Sequence, residues 1–232
     1  GRIRTVESGR RLSEADIIAF SVSYENDYPN ILTILKKAGI PPLSGDRSSA
    51  YPLVIAGGVA CFLNPEPIAP FIDCFLMGEA EALLPRFFDG VDELNIKKKG
   101  TFEKHRFLKE MIQHVPGAYI PEFYRTTYHN DGTIRLFEPL IDGAPPQVER
   151  VFLKDLSRIP THSTLLTPDT TFRKTFLIEV SRGCPHGCRF CSAGYIYRPP
   201  RFRTSSVLEA CIRKGASLTE KIGLVWASVS DL

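Results

Sequence analysis

The chain has 232 residues, 43% of them hydrophobic and 24% charged, the balance of a soluble globular protein with one large domain or two modest ones. Its net charge of +3 is too small to argue for a nucleic-acid or membrane surface. No apolar run is long enough to span a bilayer, and no signal-like segment opens the chain, so a cytoplasmic protein without a membrane partner is expected.

Two details point to a piece of a longer protein. The chain begins at Gly1 without a methionine, and it closes on "LVWASVSDL", which reads as a strand just completed. The six cysteines are few for the length, and three of them cluster. In a reducing compartment such a cluster suggests a metal or catalysis rather than disulfides.

In chain order, the first half alternates strand and helix. Residues 16–24, "DIIAFSVSY", are an apolar run rich in β formers. Residues 26–39 read as a helix, with Asn26 or Asp27 as cap, Ile31, Leu32 and Leu35 on one face and Gly39 as stop. "PLVIAGG" (52–58) is a short buried strand ending in a glycine pair, and "NPEPIAPFI" (64–72) a short helix. "DCFLMG" (73–78) is a third strand, and residues 79–90 a helix with acidic residues in its first turn. This alternation indicates βαβ units and a parallel sheet covered on both faces. Further strands are expected before Gly1.

The pattern then changes. An amphipathic helix is expected over 101–115. Asn130-Asp131-Gly132 between two β-rich runs signals a hairpin within 117–138. The proline-rich stretch 139–170 reads as a linker crossing a surface. A buried strand starts at "TFLIEVS" (175–181), and a cysteine-bearing loop follows. A helix over 205–216, with Ser205 as its cap, and a strand over 222–230 complete a second βαβ unit. The expected organisation is 1–100, an α/β domain lacking its start; 101–170, helix, hairpin and linker; and 171–232, a truncated second domain.

The cysteine loop reads "GCPHGCRFC", with Cys184, Cys188 and Cys191 in the spacing C-x3-C-x2-C. A structural zinc site takes four ligands, usually as two separated pairs. Here no second pair exists, and His186 lies only two residues from both Cys184 and Cys188. Ferredoxin-type runs use a first gap of two and a fourth cysteine, whereas Cys211 lies deep in a predicted helix. A further option is a [4Fe–4S] cluster with three irons on the thiolates and the fourth open to a ligand. Zinc and a simple electron-carrier cluster remain the alternatives.

This loop resembles the radical S-adenosylmethionine (SAM) superfamily, whose signature is C-x3-C-x-aromatic-C. The resemblance implies that Cys184, Cys188 and Cys191 hold the cluster and that Phe190 packs near the adenine of SAM. It implies SAM on the open iron, reductive cleavage to a 5′-deoxyadenosyl radical, and an electron donor such as flavodoxin or ferredoxin. The segment "LVIAGGVACFLNPEPIAPFIDCFLMGEAEALLP" and the Arg-Pro and Arg-x-Arg after the loop resemble the branch of that superfamily with an amino-terminal cobalamin (B12)-binding-like domain and no assigned substrate. The implied fold is α/β: a partial doubly wound (Rossmann- or flavodoxin-like) domain, then the start of a partial (βα)6 TIM-like barrel near residue 171.

Other residues are candidates beside plainer readings. Gly57 and Gly58 would let a ligand approach the strand end, where open α/β sheets bind ligands, or simply make a tight turn. Ser23 would face the same crevice or solvent. Cobalamin at that edge is implied by the resemblance; the Asp-x-His-x-x-Gly segment of base-off cobalamin proteins does not occur in the chain, and its position is expected before Gly1. Ser228 and Asp231 end the last strand, where the superfamily holds the SAM amine, although "SVSD" departs from the usual Gly-Gly-Glu-like segment. The basic run Arg182, Arg189, Arg198, Arg201, Arg203, Arg213 and Lys214 reads as an anion site, an RNA-facing patch or solvated arginines. If extended, Arg201 and Arg203 point the same way, inward. Cys61, Cys74 and Cys211 read as core thiols. A methylthiotransferase-like enzyme acting on tRNA or ribosomal protein is disfavoured, since Cys61 and Cys74 fall one short of a second three-cysteine cluster. A non-enzymatic iron–sulfur or zinc module is the rival from another class, separated by whether SAM is cleaved.

Overall fold

The computed structural model describes residues 3–93 and 103–228. The chain divides into two compact units, Gly1–Phe152 and Leu153–Leu232.

The first unit is built on a four-stranded sheet. Strand β1 (Ile17–Ser21) leads to helix α1 (Tyr28–Ala38), β2 (Leu53–Gly57), helix α2 (Val59–Leu63) and β3 (Cys74–Leu76). Helices α3 (Ala80–Glu93) and α4 (Lys104–His114) follow, and then β4 (Ala118–Tyr119). The sheet order is β1-β2-β3-β4; the first three strands are parallel and β4 is antiparallel to β3. The expected parallel sheet is therefore present, with an antiparallel edge that a two-residue strand gave no periodicity to reveal.

The local causes are visible in α1. Tyr28, Ile31, Leu35 and Ala38 recur at helical spacing and are buried. Pro29 sits in the first turn, where its missing N–H costs nothing. Gly39 closes the helix at φ +73°, its N–H donating to the Leu35 and Lys36 carbonyls. The 64–72 segment is a 3-10 turn, Glu66–Phe71, rather than an α-helix; Pro65, Pro67 and Pro70 remove the N–H groups that α-helical bonding would use.

A continuous core runs through this unit and includes Phe75, Phe87, Phe107 and Phe123, all fully buried. Each such side chain contributes about 1.5–3 kcal/mol of hydrophobic stabilisation. Helix α4 buries Phe107, Leu108, Met111 and Ile112 in it. The predicted hairpin forms as β5 (Tyr124–Tyr128) and β6 (Ile134–Pro139). Not all of the proline-rich stretch is a free connector: Val151 bridges Gly78 in parallel, accepting from Glu79 N at 2.9 Å and donating to Met77 O at 3.0 Å.

The second unit starts its sheet with β7 (Phe176–Glu179). A short strand β8 (Ser181–Arg182), the cysteine loop, helix α5 (Ala193–Ile196) and β9 (Arg201–Phe202) follow, with β8 and β9 antiparallel. Helix α6 (Ser205–Ala216) then returns the chain to β10 (Ile222–Val225), parallel to β7. The second βαβ unit is thus present. Its helix is preceded by Thr204 in the cap position, not Ser205, which is already helical. The buried centre here is small: Phe176, Ile178 and Cys211. Gly215 lies over Phe176 so closely that a Cβ would come within 2.5 Å of the ring.

Candidate metal centre

β7 ends at Glu179, and the chain turns through Val180–Gly183 into the cysteine loop. Cys184 is buried, Cys191 half-buried and Cys188 exposed, and all three are free thiols. Cys191 N donates to Cys188 O at 3.1 Å, which closes the second half of the loop into a turn. Phe190, between them, is 93% exposed. Among the described residues no three His, Cys, Asp or Glu side chains are gathered closely enough to hold a metal ion. The structure thus places the three cysteines on one loop without drawing them into a ligand set.

The donor set itself fits an iron–sulfur group. It consists of three thiols, with none tied up in a disulfide and two of them reachable from solvent. Thiolate ligands of this kind select iron–sulfur clusters or zinc over hard oxygen-loving cations. The loop is tightly built at both ends. Gly183 adopts φ +91°, and a Cβ there would overlap the Tyr197 carbonyl. A Cβ on Gly194 would overlap the His186 carbonyl. Tyr195 Oη donates to Gly187 O at 3.0 Å and Arg198 Nη2 to His186 O at 3.3 Å. Sequence reasoning passed over Tyr195 altogether. The only available signal was its position one helical step beyond the third cysteine.

The basic run resolves into individual roles. Arg201 and Arg203 are buried and Phe202 between them is exposed, as alternation required. Their partners are not an external anion. Arg201 donates to Pro199 O at 3.0 Å and to Leu153 O at 2.6 Å. Arg203 donates to the Leu156 and Ile159 carbonyls, to Thr161 Oγ1 at 2.8 Å and to Glu179. Arg182 also pairs with Glu179, at 2.9 and 2.8 Å. The anion-site expectation for Arg201 and Arg203 is corrected: buried guanidinium groups must be satisfied, and the 153–161 segment supplies the acceptors. Arg213 pairs with Glu209 one turn away on α6.

The other candidates fall elsewhere. Ser228 is half-buried just beyond β10, and Asp231 lies outside the described residues. In the first unit, Gly57 and Gly58 line a cavity of about 190 Å3 at the carboxyl ends of β1 and β2, together with Ser21, Phe20, Leu76 and Gly78. Ser23 is exposed and does not line it. Gly58 is required there: at φ +99°, a Cβ would stand 2.5 Å from Val22 O.

The chain thus joins a mostly parallel α/β unit to a βαβ unit that carries a three-cysteine loop. Residues 2–121 match the family described as radical SAM proteins, N-terminal, and the chain belongs to that family. The matched residues all precede the cysteine loop. The chain is also 27% identical over 230 residues to an uncharacterized protein, MJ0966, of Methanocaldococcus jannaschii. That alignment covers 97% of this chain and 41% of the relative, so the chain spans less than half of the relative's length. No solved structure matches. Among the described residues no helix is long and apolar enough to cross a membrane.

Proposed function

We propose that this protein is a radical SAM enzyme whose Cys184, Cys188 and Cys191 hold three irons of a [4Fe–4S] cluster, leaving the fourth for SAM. The observation that carries this reading is three free thiols on the single loop that follows β7, in a chain of the radical SAM family. When bound, the cluster and SAM supply a one-electron cleavage that yields a carbon radical; the protein supplies orientation and a dry site. A low-potential flavodoxin or ferredoxin would be the electron donor. Residues 171–232, within the second unit, are read as the opening of the barrel. Their β7–α6–β10 element puts the cysteine loop at the carboxyl end of β7, the end at which barrel enzymes carry their sites. Phe190, exposed beside Cys191, is the residue read as packing on adenine. Ser228 and Asp231 are the candidate SAM contacts beyond β10.

In this reading residues 1–100, within the first unit, are the cobalamin-binding-like domain of its branch. Cobalamin itself rests on the resemblance alone, since no residue lining the 190 Å3 cavity is a histidine or another side chain suited to cobalt. The substrate is unassigned.

The test uses the full-length protein, reconstituted with iron and sulfide without oxygen and given SAM and dithionite. 5′-Deoxyadenosine is followed by chromatography, with Cys188→Ala alongside. Production by the wild type and its loss in the variant are expected. An iron–sulfur spectrum without SAM cleavage would favour an electron-carrier module, and tightly bound zinc without iron would overturn the cluster assignment.

A further inference from the structure

The apex of the cysteine loop is fastened by a group of side chains outside the C-x3-C-x2-C pattern. Tyr195, on α5, donates its hydroxyl to the Gly187 carbonyl at 3.0 Å. Arg198 donates Nη2 to the preceding carbonyl, His186, at 3.3 Å. The same guanidinium lies 5.0 Å over the Tyr195 ring, so the two side chains hold each other. Gly194 lets α5 approach, because any Cβ there would overlap the His186 carbonyl. Hydrogen bonds to two consecutive carbonyls, with the close approach of Gly194, therefore fix the two peptide units immediately before Cys188.

Fold stability is a poor explanation for this arrangement. Tyr195 is 54% exposed and Arg198 is exposed. Water competes for each hydrogen bond, and ordering two long side chains costs rotamer freedom. What the contacts do fix is the backbone that carries the exposed cysteine. At metal sites, groups one step beyond the ligands orient them, and changing such a group typically alters metal affinity by 10–100-fold.

We propose that Tyr195 and Arg198 are positioning residues that lock the His186–Gly187 peptides and so set how Cys188 is offered to an iron–sulfur cluster. The inference rests on the cluster reading above and adds to it two residues that the cysteine pattern does not include.

The experiment compares wild type, Tyr195→Phe, Arg198→Ala, the double variant and Arg198→Lys in the full-length protein, reconstituted without oxygen. Iron and sulfide are counted per chain. Loss of the cluster absorbance is then timed under an iron chelator, and the reduced cluster is examined by electron paramagnetic resonance. The double variant is expected to lose its cluster about tenfold faster, with shifted g values. Arg198→Lys, which keeps a cation over the ring, restores much of the wild-type rate. Circular dichroism checks that each variant is folded. Should the double variant fail to fold, Tyr195→Phe decides, because it keeps the ring and removes only the hydroxyl. A measurably faster loss supports the proposal, and wild-type behaviour overturns it. If wild type holds its cluster and all variants match it in rate and g values, the brace is wrong while the cluster assignment stands. If wild type holds no iron and sulfide, both fall.

Discussion

Cys61 and Cys74 lie in the first unit with no measurable exposure, one on α2 and one opening β3. Cys184, Cys188 and Cys191 lie in the second unit on a single loop, and their exposure rises from buried at the first to open at the second. In the first unit a cysteine is a small apolar side chain, and burial pushes the Cys61 thiol up to about 12. In the second, Cys184 is buried where the loop begins, and Cys188 and Cys191 are held toward the surface on the loop. Packing silences a thiol's chemistry, and a loop outside the core leaves it available.

The largest expected contrast is in thiol reactivity. Cys61 moves from an ordinary 9.0 to about 12, so at pH 8 it presents about a thousandfold less thiolate than an unperturbed thiol. Burial adds to the protection. Native iron-free protein treated briefly with iodoacetamide is therefore expected to carry label at Cys188 and none at Cys61 or Cys74, read by peptide mass spectrometry. Labelling of Cys61 at a comparable rate would break the contrast, and protection of Cys188 on adding iron and sulfide would sharpen it. The same shift has a consequence for stability. Folding favours the neutral Cys61 thiol, so its contribution is whole below pH 9 and falls as pH rises from 9 through about 12. Tyr124, pushed by burial from 10.0 to about 12, acts in the same direction over the upper part of that window. Chemical denaturation between pH 8 and 11 should show a declining midpoint, less steep in Cys61→Ala.

Each unit also places one carboxylate between two cations, and the next effects come from there. Asp73, with its side chain 1% exposed, accepts Val54 N–H at 2.7 Å and meets Arg47 at 2.9 Å and Lys104 at 2.6 Å. Glu179, with its side chain 20% exposed, meets Arg182 and Arg203. Removing one partner of a buried pair strands the other charge, at a cost of about 3–5 kcal/mol. Asp73→Ala is expected at the upper end, since it takes the shared carboxylate from both Arg47 and Lys104. Arg203→Ala is expected at about 3 kcal/mol or below, since Glu179 keeps Arg182 and is reached by water. Urea denaturation of both variants gives the comparison, and equal losses would mean that exposure does not grade the two sites. Gly58→Ala follows at about 1–3 kcal/mol, from an unfavourable positive φ and the collision with Val22 O.

The sequence conveyed periodic elements and chemically distinctive ones well. The helix over 28–38, the three parallel strands and the hairpin around Asn130-Asp131-Gly132 each carry a repeat or a turn signal that acts over a few residues. β4 and the Val151 bridge were not legible, because two residues have no period and their partners lie far along the chain. At the candidate centre the spacing singled out three cysteines on one loop, and their role as cluster ligands came from the resemblance. The Tyr195–Arg198 brace was not, since it depends on where α5 sets down against the loop. For Arg201 and Arg203 the alternation gave the direction correctly and the partner wrongly. Direction is a property of two residues, whereas the partner is a property of the distant 153–161 segment.

The smallest effect separates the arginines from one another. Read as one basic patch, Arg203 and Arg213 are alike. In the structure, Arg203 donates to two carbonyls, Thr161 and Glu179, while Arg213 pairs with Glu209 one turn earlier on α6, at 2.6 Å. The side chains of that second pair are 79% and 64% exposed. Water and salt screen such a pair, and the chain pays rotamer entropy to form it, so i,i+4 pairs of this kind contribute about 0.3–0.5 kcal/mol. Arg213→Ala should therefore shift the denaturation midpoint barely beyond error, and 1 M salt should erase the shift. Arg203→Ala should keep most of its cost in salt, because buried partners are screened much less. If the two variants lost equal stability, or if salt rescued both, these arginines would form one solvated surface after all, and the anchoring role given to Arg203 would fall.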